Sequence, residues 1–137
     1  MKASIKKKKR YGKVIDSKKK KVYSTGAKRD VQDGKGRFDL IPGYALQRLA
    51  DHYENGARKY FERNWEKGIP ISRFVDSAFR HLNKWTQGYD EEDHLAAVAW
   101  NVFGLMWTQE MIRRKLLPGT LWAGMRYDLI NTKKERK

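Results

Sequence analysis

The segment from Asp93 to Thr108, DHLAAVAWNVFGLMWT, decides the fold of this chain. It is apolar on nearly every side, which is typical of a helix that is buried on most of its faces. His94 and Asn101 interrupt the pattern and, being seven residues apart, lie on one helical face. The small residues Ala97 and Gly104 share that face. The stripe is therefore either a satisfied polar pair at a close helix–helix contact or one wall of a ligand or metal site.

The charge of the chain is concentrated at one end. The formal net charge is +15 over 137 residues, of which +12 falls in residues 1–29. Runs of lysine repel one another and bury nothing, so we predict a disordered basic tail over residues 1–23 and a short basic tail over residues 131–137. The first tail is either a solvated extension or a segment that contacts nucleic acid weakly and in a salt-dependent way.

Composition excludes several classes of protein. The chain has no cysteine, which excludes a disulfide framework and a thiolate nucleophile. The basic N-terminus is not followed by an apolar region, and no apolar run is long enough to cross a bilayer. We therefore expect a soluble cytoplasmic protein with no membrane partner, located in the host cytoplasm if a phage encodes it.

Hydrophobic periodicity predicts three helices. The first begins near Tyr44, the second is capped by Ser72, and the third is capped by Asp90 and extends to about Lys115. No segment shows a convincing β-strand pattern. The predicted fold class is all-α, a small helical bundle over residues 24–130.

The same periodicity predicts which faces are buried. On the second helix the expected stripe is Val75, Ala78, Leu82 and Trp85. His81 falls on or near that stripe, so it is either a core histidine or a site residue. Gly56 inside the first helix suggests a close contact or a kink, because glycine destabilises a helix interior by about 1 kcal/mol relative to alanine.

Two groups of residues have the chemistry of metal ligands. Asp51 and Glu54 share a face of the first helix, and paired carboxylates at this spacing suit Mg²⁺ or Mn²⁺. Glu91, Asp93 and His94 form the second group, since Mn²⁺ also accepts imidazole. The alternatives are solvated surface acids in the first group and a helix cap in the second.

Basic side chains on the helices and in the glycine-rich loop suit a polyphosphate. Fixed cations, hydrogen-bond donors and a metal ion are what a di- or triphosphate needs around it. Ordinary surface ion pairs and solvated loop lysines are the alternative explanation. The candidates are Arg58, Lys59, Arg63, Arg80, Lys35 and Arg37.

The motifs TGAKRD, GKGRFDLIPGYALQRLADHYENGARKYFERNWEKGIP, SAFRHLNKW and GYDEEDHLAAVAWNVFGLM follow one another over about residues 25–107. Together they resemble the phage and bacterial dATP/dGTP diphosphohydrolase family, a branch of the all-α, MazG-like nucleotide pyrophosphohydrolases. They are also similar to the MazZ branch of phages that build 2-aminoadenine DNA, which acts on guanine nucleotides and supplies dGMP.

The resemblance implies a MazG-like helical bundle that cleaves a purine (d)NTP between its α and β phosphates with Mg²⁺ or Mn²⁺, as a dimer or tetramer. The chain departs from the MazG-like ExxE and ExxD pattern, since Asn101 and Arg80 stand where acids are expected. The metal ligands are then expected to be Asp51, Glu54, Glu91, Asp93 and His94. The catalytic residues would be Glu54, Asp93 and Arg80. The substrate-binding residues would be Lys35, Arg37, Asp39, Arg58, Lys59, Asn64, Trp65, His81 and Asn101, with Trp65 or Phe38 stacking on the base.

The sequence is also compatible with a protein of another functional class, a helical module without catalysis that binds nucleic acid through its lysine-rich tail. It needs a basic helical face, whereas the chain beyond residue 29 carries a net charge of only +3.

Overall fold

The structure, a computed structural model, describes residues 16–125, which fall into two compact units that meet in sequence at Leu40 and Ile41. The predicted disorder of residues 1–15 and the predicted tail over residues 131–137 lie outside the described residues.

The first unit contains a short antiparallel hairpin. Strand β1, Lys20–Val22, pairs with strand β2, Lys28–Asp30, in the register Lys20 to Asp30. Gly26 adopts φ +85° in the turn, and Lys20 contacts the carboxylates of Asp16 and Asp30. The prediction that the chain has no strand is therefore wrong, because a glycine turn and ion pairs hold this hairpin rather than an alternating apolar pattern.

The second unit confirms the all-α prediction. Between residues 41 and 125 the chain forms three α-helices: α1, Gly43–Tyr60; α2, Ile71–Thr86; and α3, His94–Arg113. Short 3-10 turns at Asn64–Lys67 and Gly119–Trp122 connect and follow them. The helices α2 and α1 both pack against α3, so α3 is the centre of the bundle.

A close approach of α2 to α3 fixes the geometry of the bundle. A Cβ atom added at Gly104 would lie 2.4 Å from the Phe74 ring, so only glycine fits there. His94, Ala97, Asn101 and Gly104 are all buried, which confirms that they share one face, and Thr108 is buried as well. At Gly104 the close helix–helix contact is the correct interpretation.

Two expectations about helix ends are wrong, and one of the two explanations of Gly56 has no support. The cap of α3 is Asp93, not Asp90, because the side chain of Asp93 accepts a hydrogen bond from the Ala96 nitrogen. The helix α2 begins at Ile71, directly after Pro70 rather than after Ser72. A Cβ at Gly56 would meet no described atom within 4 Å, so close packing does not explain that glycine.

The predicted α2 stripe and the burial of α3 on most sides are also not seen in the single chain. On α2 the buried residues are Ile71 and Phe74, whereas Leu82 and Trp85 are exposed. On α3 Phe103 is 48% exposed and Met106 is 58% exposed. Apolar surface therefore remains on the outer side of the bundle. None of the described helices combines the length and hydropathy needed to cross a membrane.

Candidate functional site

A cleft opens among α1, the link that follows it, α2 and the start of α3. It encloses about 1320 Å³, more than the ~300–1,000 Å³ of a common small-ligand pocket. Cations and carboxylates both line it, which suits a polyphosphate bound together with a metal ion. Among the described residues the lining cations are Arg48, Lys59, Arg63, Arg73, Arg80 and Lys84, and the lining acids are Asp51, Glu62, Glu91, Glu92 and Asp93.

Three donor atoms lie together where α2 and the start of α3 meet. The Nδ1 atoms of His81 and His94 are 3.0 Å apart. The Oε1 atom of Glu92 lies 3.1 Å from Nδ1 of His81 and 3.7 Å from Nδ1 of His94. His81 and Glu92 line the cleft, while His94 is buried. Burial is the main cause that lowers the pKa of His81, which favours the neutral imidazole that binds metals.

The second nitrogen of His94 is unusual. Its Nε2 lies 3.1 Å from Oε2 of Glu91, but the two groups are not aligned for a hydrogen bond, and this buried nitrogen has no hydrogen-bond partner among the described residues. Lys84 also holds Glu91, with 2.8 Å between Nζ and Oε1. The lysine, and after it His94, lowers the pKa of Glu91 to about 2. Buried side-chain nitrogens without partners are uncommon in cores, so His94 marks this end of the cleft as a candidate site.

Asp93 is occupied by two structural contacts. It caps α3, and Arg48 of α1 donates two hydrogen bonds to its oxygens at 2.6 and 2.7 Å. Arg48 is the main cause that lowers the pKa of Asp93 to about 2. These contacts tie α1 to the start of α3. A catalytic or metal-binding role for Asp93 stays a prediction.

The two acids predicted on α1 are placed differently. Asp51 lines the cleft and accepts a hydrogen bond from Gln47 at 3.0 Å. Glu54 pairs with Arg58 at 2.9 Å, with both side chains exposed. Neither Glu54 nor Arg58 is among the described residues that line the cleft. Their assigned roles stay predictions, and the geometry gives them no support.

Asn101 lies at the cleft but is satisfied by the protein. Its Nδ2 donates to Oγ of Ser77 at 3.2 Å and to the carbonyl of Ala97 at 2.8 Å. These bonds favour the structural interpretation of this residue. Lys59, Asn64 and Arg80 also line the cleft, and nothing in the structure tests their predicted contacts with substrate.

Trp65 lines the cleft and is half-buried. Its ring packs edge-on against Trp107, with ring centroids 4.9 Å apart, and lies 6.1 Å from that of Tyr53. Plain packing therefore accounts for this tryptophan, and stacking on a base stays a prediction.

The predicted loop residues belong to the first unit. Arg37 donates two hydrogen bonds to the Asp39 carboxylate at 2.8 and 2.7 Å, and Phe38 between them is 80% exposed. Lys35 lies in the same unit, in the loop after the hairpin. Their roles as substrate contacts stay predictions.

Sequence reasoning missed Glu92 and Arg48. Glu92 is not among the residues predicted from the sequence, although its position two residues before His94 is a usable signal. Arg48 stands 45 residues before its partner Asp93, and no local pattern reveals that pair.

The family model for dATP/dGTP diphosphohydrolase, N-terminal, matches residues 25–116. The chain belongs to this family. The resemblance found in the sequence is thereby confirmed at the level of the family, and its name places the chain among nucleotide diphosphohydrolases. The MazZ branch stays a prediction. No curated protein and no solved structure matches the chain. The matched segment includes all three helices and every described residue that lines the cleft.

Proposed function

We propose that this chain hydrolyses a purine deoxynucleoside or nucleoside triphosphate to the monophosphate and pyrophosphate with a divalent cation, Mg²⁺ or Mn²⁺. The observation that carries the proposal is the group formed by His81, Glu92 and His94 at the end of a cleft lined with arginine and lysine. Membership of the diphosphohydrolase family supports the reaction class.

The residues present fit a divalent cation. The Nδ1 nitrogens of two imidazoles and a carboxylate oxygen of Glu92 lie within 3.7 Å of one another. His81, Glu92 and His94 are therefore the side chains that would hold the ion. Such a cation neutralises polyphosphate charge and acidifies water.

The cations of the cleft bind and orient the phosphates. Arg80 stands one residue before His81, and Lys59 and Arg73 line the same cleft. Guanidinium groups donate paired hydrogen bonds to phosphate oxygens and stabilise the charge that develops on the leaving pyrophosphate. Water adds across the α–β anhydride, so that its oxygen joins one phosphorus and the bridging oxygen leaves with the other.

The outer faces of α2 and α3 support assembly with a second copy of the chain. Phe79, Leu82 and Trp85 on α2, with Phe103 and Met106 on α3, leave a large apolar surface exposed. Monomeric soluble proteins rarely expose such a surface. The chain is a homo-oligomer, a dimer or tetramer, that covers this surface. Met106→Glu should convert it to a monomer by light scattering, whereas Gln109→Glu, a change at an exposed polar position of α3, should not.

A product analysis tests the reaction. The purified chain is incubated with each of the eight common NTPs and dNTPs and either MgCl₂ or MnCl₂, and the products are separated by ion exchange. We expect the purine monophosphate and pyrophosphate, with no product in EDTA. Orthophosphate plus a diphosphate, or inorganic triphosphate, would show that another bond is cut. Tight, salt-sensitive DNA binding without any hydrolysis would favour the nucleic-acid-binding alternative.

The same measurement addresses the cellular role. If dGTP is the preferred substrate, the product dGMP is a precursor for a phage that builds modified DNA, as the MazZ branch implies. Preference for dATP would contradict that role and leave the reaction class intact.

A further inference from the structure

We propose that His81, Glu92 and His94 form a two-histidine, one-carboxylate site that selects a transition-metal ion such as Mn²⁺ or Co²⁺ over Mg²⁺. The inference rests on the proposed function only in giving the ion a catalytic purpose, since the binding itself is a property of the three side chains. It places the metal centre where α2 meets the start of α3, whereas the sequence also predicts metal ligands at Asp51 and Glu54 of α1.

The separations of the donor atoms match one face of a metal coordination sphere. The two Nδ1 atoms and Oε1 of Glu92 are 3.0, 3.1 and 3.7 Å apart. A point equidistant from the three atoms lies about 1.9 Å from each, close to the ~2.0–2.2 Å of metal–nitrogen and metal–oxygen bonds. An ion placed slightly out of their plane would reach all three without movement of the backbone.

The neighbours of the site complete the arrangement of a metal-binding histidine. Such a histidine usually donates its other ring nitrogen to a carboxylate, which fixes the tautomer and turns the first nitrogen to the metal. The Nε2 atom of His94 lies 3.1 Å from Oε2 of Glu91, and Lys84 holds that carboxylate in place. A small rotation of the Glu91 side chain gives the buried nitrogen its missing partner and leaves Nδ1 of His94 for the ion.

The donor set determines which ions are preferred. Mg²⁺ takes oxygen ligands and gives up its water reluctantly, whereas imidazole suits the first-row transition metals. Two of the three donors are imidazole nitrogens that lie 3.0 Å apart. One carboxylate and two nitrogens therefore favour Mn²⁺ and, more strongly, Co²⁺ over Mg²⁺.

Helix packing holds the ligands in place before an ion arrives. His81 lies in the last two turns of α2, and His94 is the first residue of α3. The two helices are locked together by the contact between Phe74 and Gly104, and His94 is 2% exposed. The two histidines thus lose little freedom on binding, which raises affinity.

Metal binding without nucleotide tests the site. The full chain is stripped of metal with EDTA, dialysed and titrated with CoCl₂, MnCl₂ or MgCl₂. Calorimetry follows all three ions, and visible absorption follows Co²⁺. We expect one Co²⁺ or Mn²⁺ per chain, bound at least about tenfold more tightly than Mg²⁺, and a Co²⁺ spectrum unlike that of the hydrated ion. No binding by the wild type, or equal affinity for Mg²⁺ and Mn²⁺, would overturn the proposal.

Matched variants locate the ion. His81→Asn and Glu92→Gln should each weaken Co²⁺ binding at least about tenfold, since even the loss of a residue that orients a ligand has that effect. The controls are His52→Asn, the one other histidine of the sequence, and Glu62→Gln, another carboxylate that lines the cleft; both should bind Co²⁺ as the wild type does. Circular dichroism shows that each variant is folded.

The outcomes separate this site from the reaction. Undiminished Co²⁺ binding in His81→Asn and Glu92→Gln would place the ion elsewhere and overturn the site. Hydrolysis without such binding would leave the proposed function standing and remove the site. Binding that the two variants abolish, in a chain that hydrolyses no nucleotide, would leave the site standing and remove the proposed function.

Discussion

The buried polar residues at the two ends of α3 differ in their hydrogen bonding. Toward the C-terminus, Thr108 donates to the carbonyl of Gly104 at 2.7 Å, and Asn101 donates to Ser77 and Ala97. At the N-terminus His94 is as deeply buried, yet its Nε2, 3.1 Å from the Glu91 carboxylate, has no hydrogen-bond partner among the described residues, and its Nδ1 shares a hydrogen bond with a second imidazole. Burial of a polar residue therefore does not indicate function by itself. A buried polar group without a hydrogen-bond partner is uncommon, and here it lies on a histidine that is grouped with His81 and Glu92.

The largest expected effect is on turnover, from a substitution beside the N-terminus of α3, where the helix meets the cleft. Glu92→Gln keeps the size of the side chain and removes its charge. Turnover should fall about 100-fold or more, because the cation that Glu92 would hold stabilises the charge that develops in the transition state. Because the Glu92 side chain is half exposed, the melting temperature should change little. Steady-state kinetics with dGTP and a thermal melt measure the two effects.

Two further variants show whether the loss is specific. Asp90→Asn removes an exposed carboxylate from the same acidic run and should leave turnover near that of the wild type. Glu54→Gln tests the competing assignment from the sequence. A larger loss at Glu54 than at Glu92 would place the catalytic cation on α1 and break the distinction between the two ends of α3.

The next largest effect is on the free energy of unfolding. It falls toward the C-terminal end of the buried face of α3, where the polar side chains have hydrogen-bond partners. Gly104→Ala places a Cβ atom 2.4 Å from the Phe74 ring, and such overpacking lowers the free energy of unfolding by about 1–3 kcal/mol. Gly56→Ala is the control, since a Cβ there meets open space in the described structure and should raise stability by up to ~1 kcal/mol. Urea denaturation measures both. Equal effects of the two substitutions would show that the close contact does not hold α2 to α3.

Local patterns predicted the helices and much of the buried face of α3. Periodicity and turn residues are properties of neighbouring positions, so three helices with ends close to those observed follow from them. The buried stripe from His94 to Gly104 was predictable for the same reason. The α2 stripe was predicted wrongly because the apolar residues on its outer face, such as Phe79, obscure which side faces α3.

The candidate site could be predicted only in part. His94 was identified as a polar residue in an apolar helix, and His81 as a residue near the buried side of α2. Their contact depends on the crossing of α2 and α3, which the Phe74–Gly104 contact fixes and which no spacing reveals. The pairing of Arg48 with Asp93 joins separate helices and was equally out of reach of a single sequence.

A smaller effect on stability than that of Gly104→Ala is expected from backbone strain at Phe61. This residue lines the cleft with φ 72° and ψ 157°, a conformation almost restricted to glycine. The ring is 84% exposed and contributes little packing. Phe61→Gly should therefore raise the free energy of unfolding by about 1 kcal/mol, because ~1–3 kcal/mol of strain is released against ~0.5–1 kcal/mol of added chain entropy.

The neighbouring residue gives the control for strain. Tyr60→Gly changes the last residue of α1, which is helical and unstrained, and should lower stability instead. Denaturation curves of the two variants settle the comparison. If both substitutions destabilise the protein, the link after α1 holds no releasable strain.

The smallest expected effect lies at the far end of α3. Arg113, and after it Arg114, lowers the pKa of Glu110 to about 2, below its ordinary value of 4.5. A carboxylate with a lowered pKa stabilises the folded state above its ordinary pKa and loses that contribution as the pH falls toward the lowered one. Glu110→Gln should therefore lower the melting temperature slightly at pH 7, and the difference from wild type should shrink between pH 4.5 and 2. High salt should also reduce it, because these side chains are exposed. A difference that grows on acidification would contradict the ion pairs of Glu110 with Arg113 and Arg114.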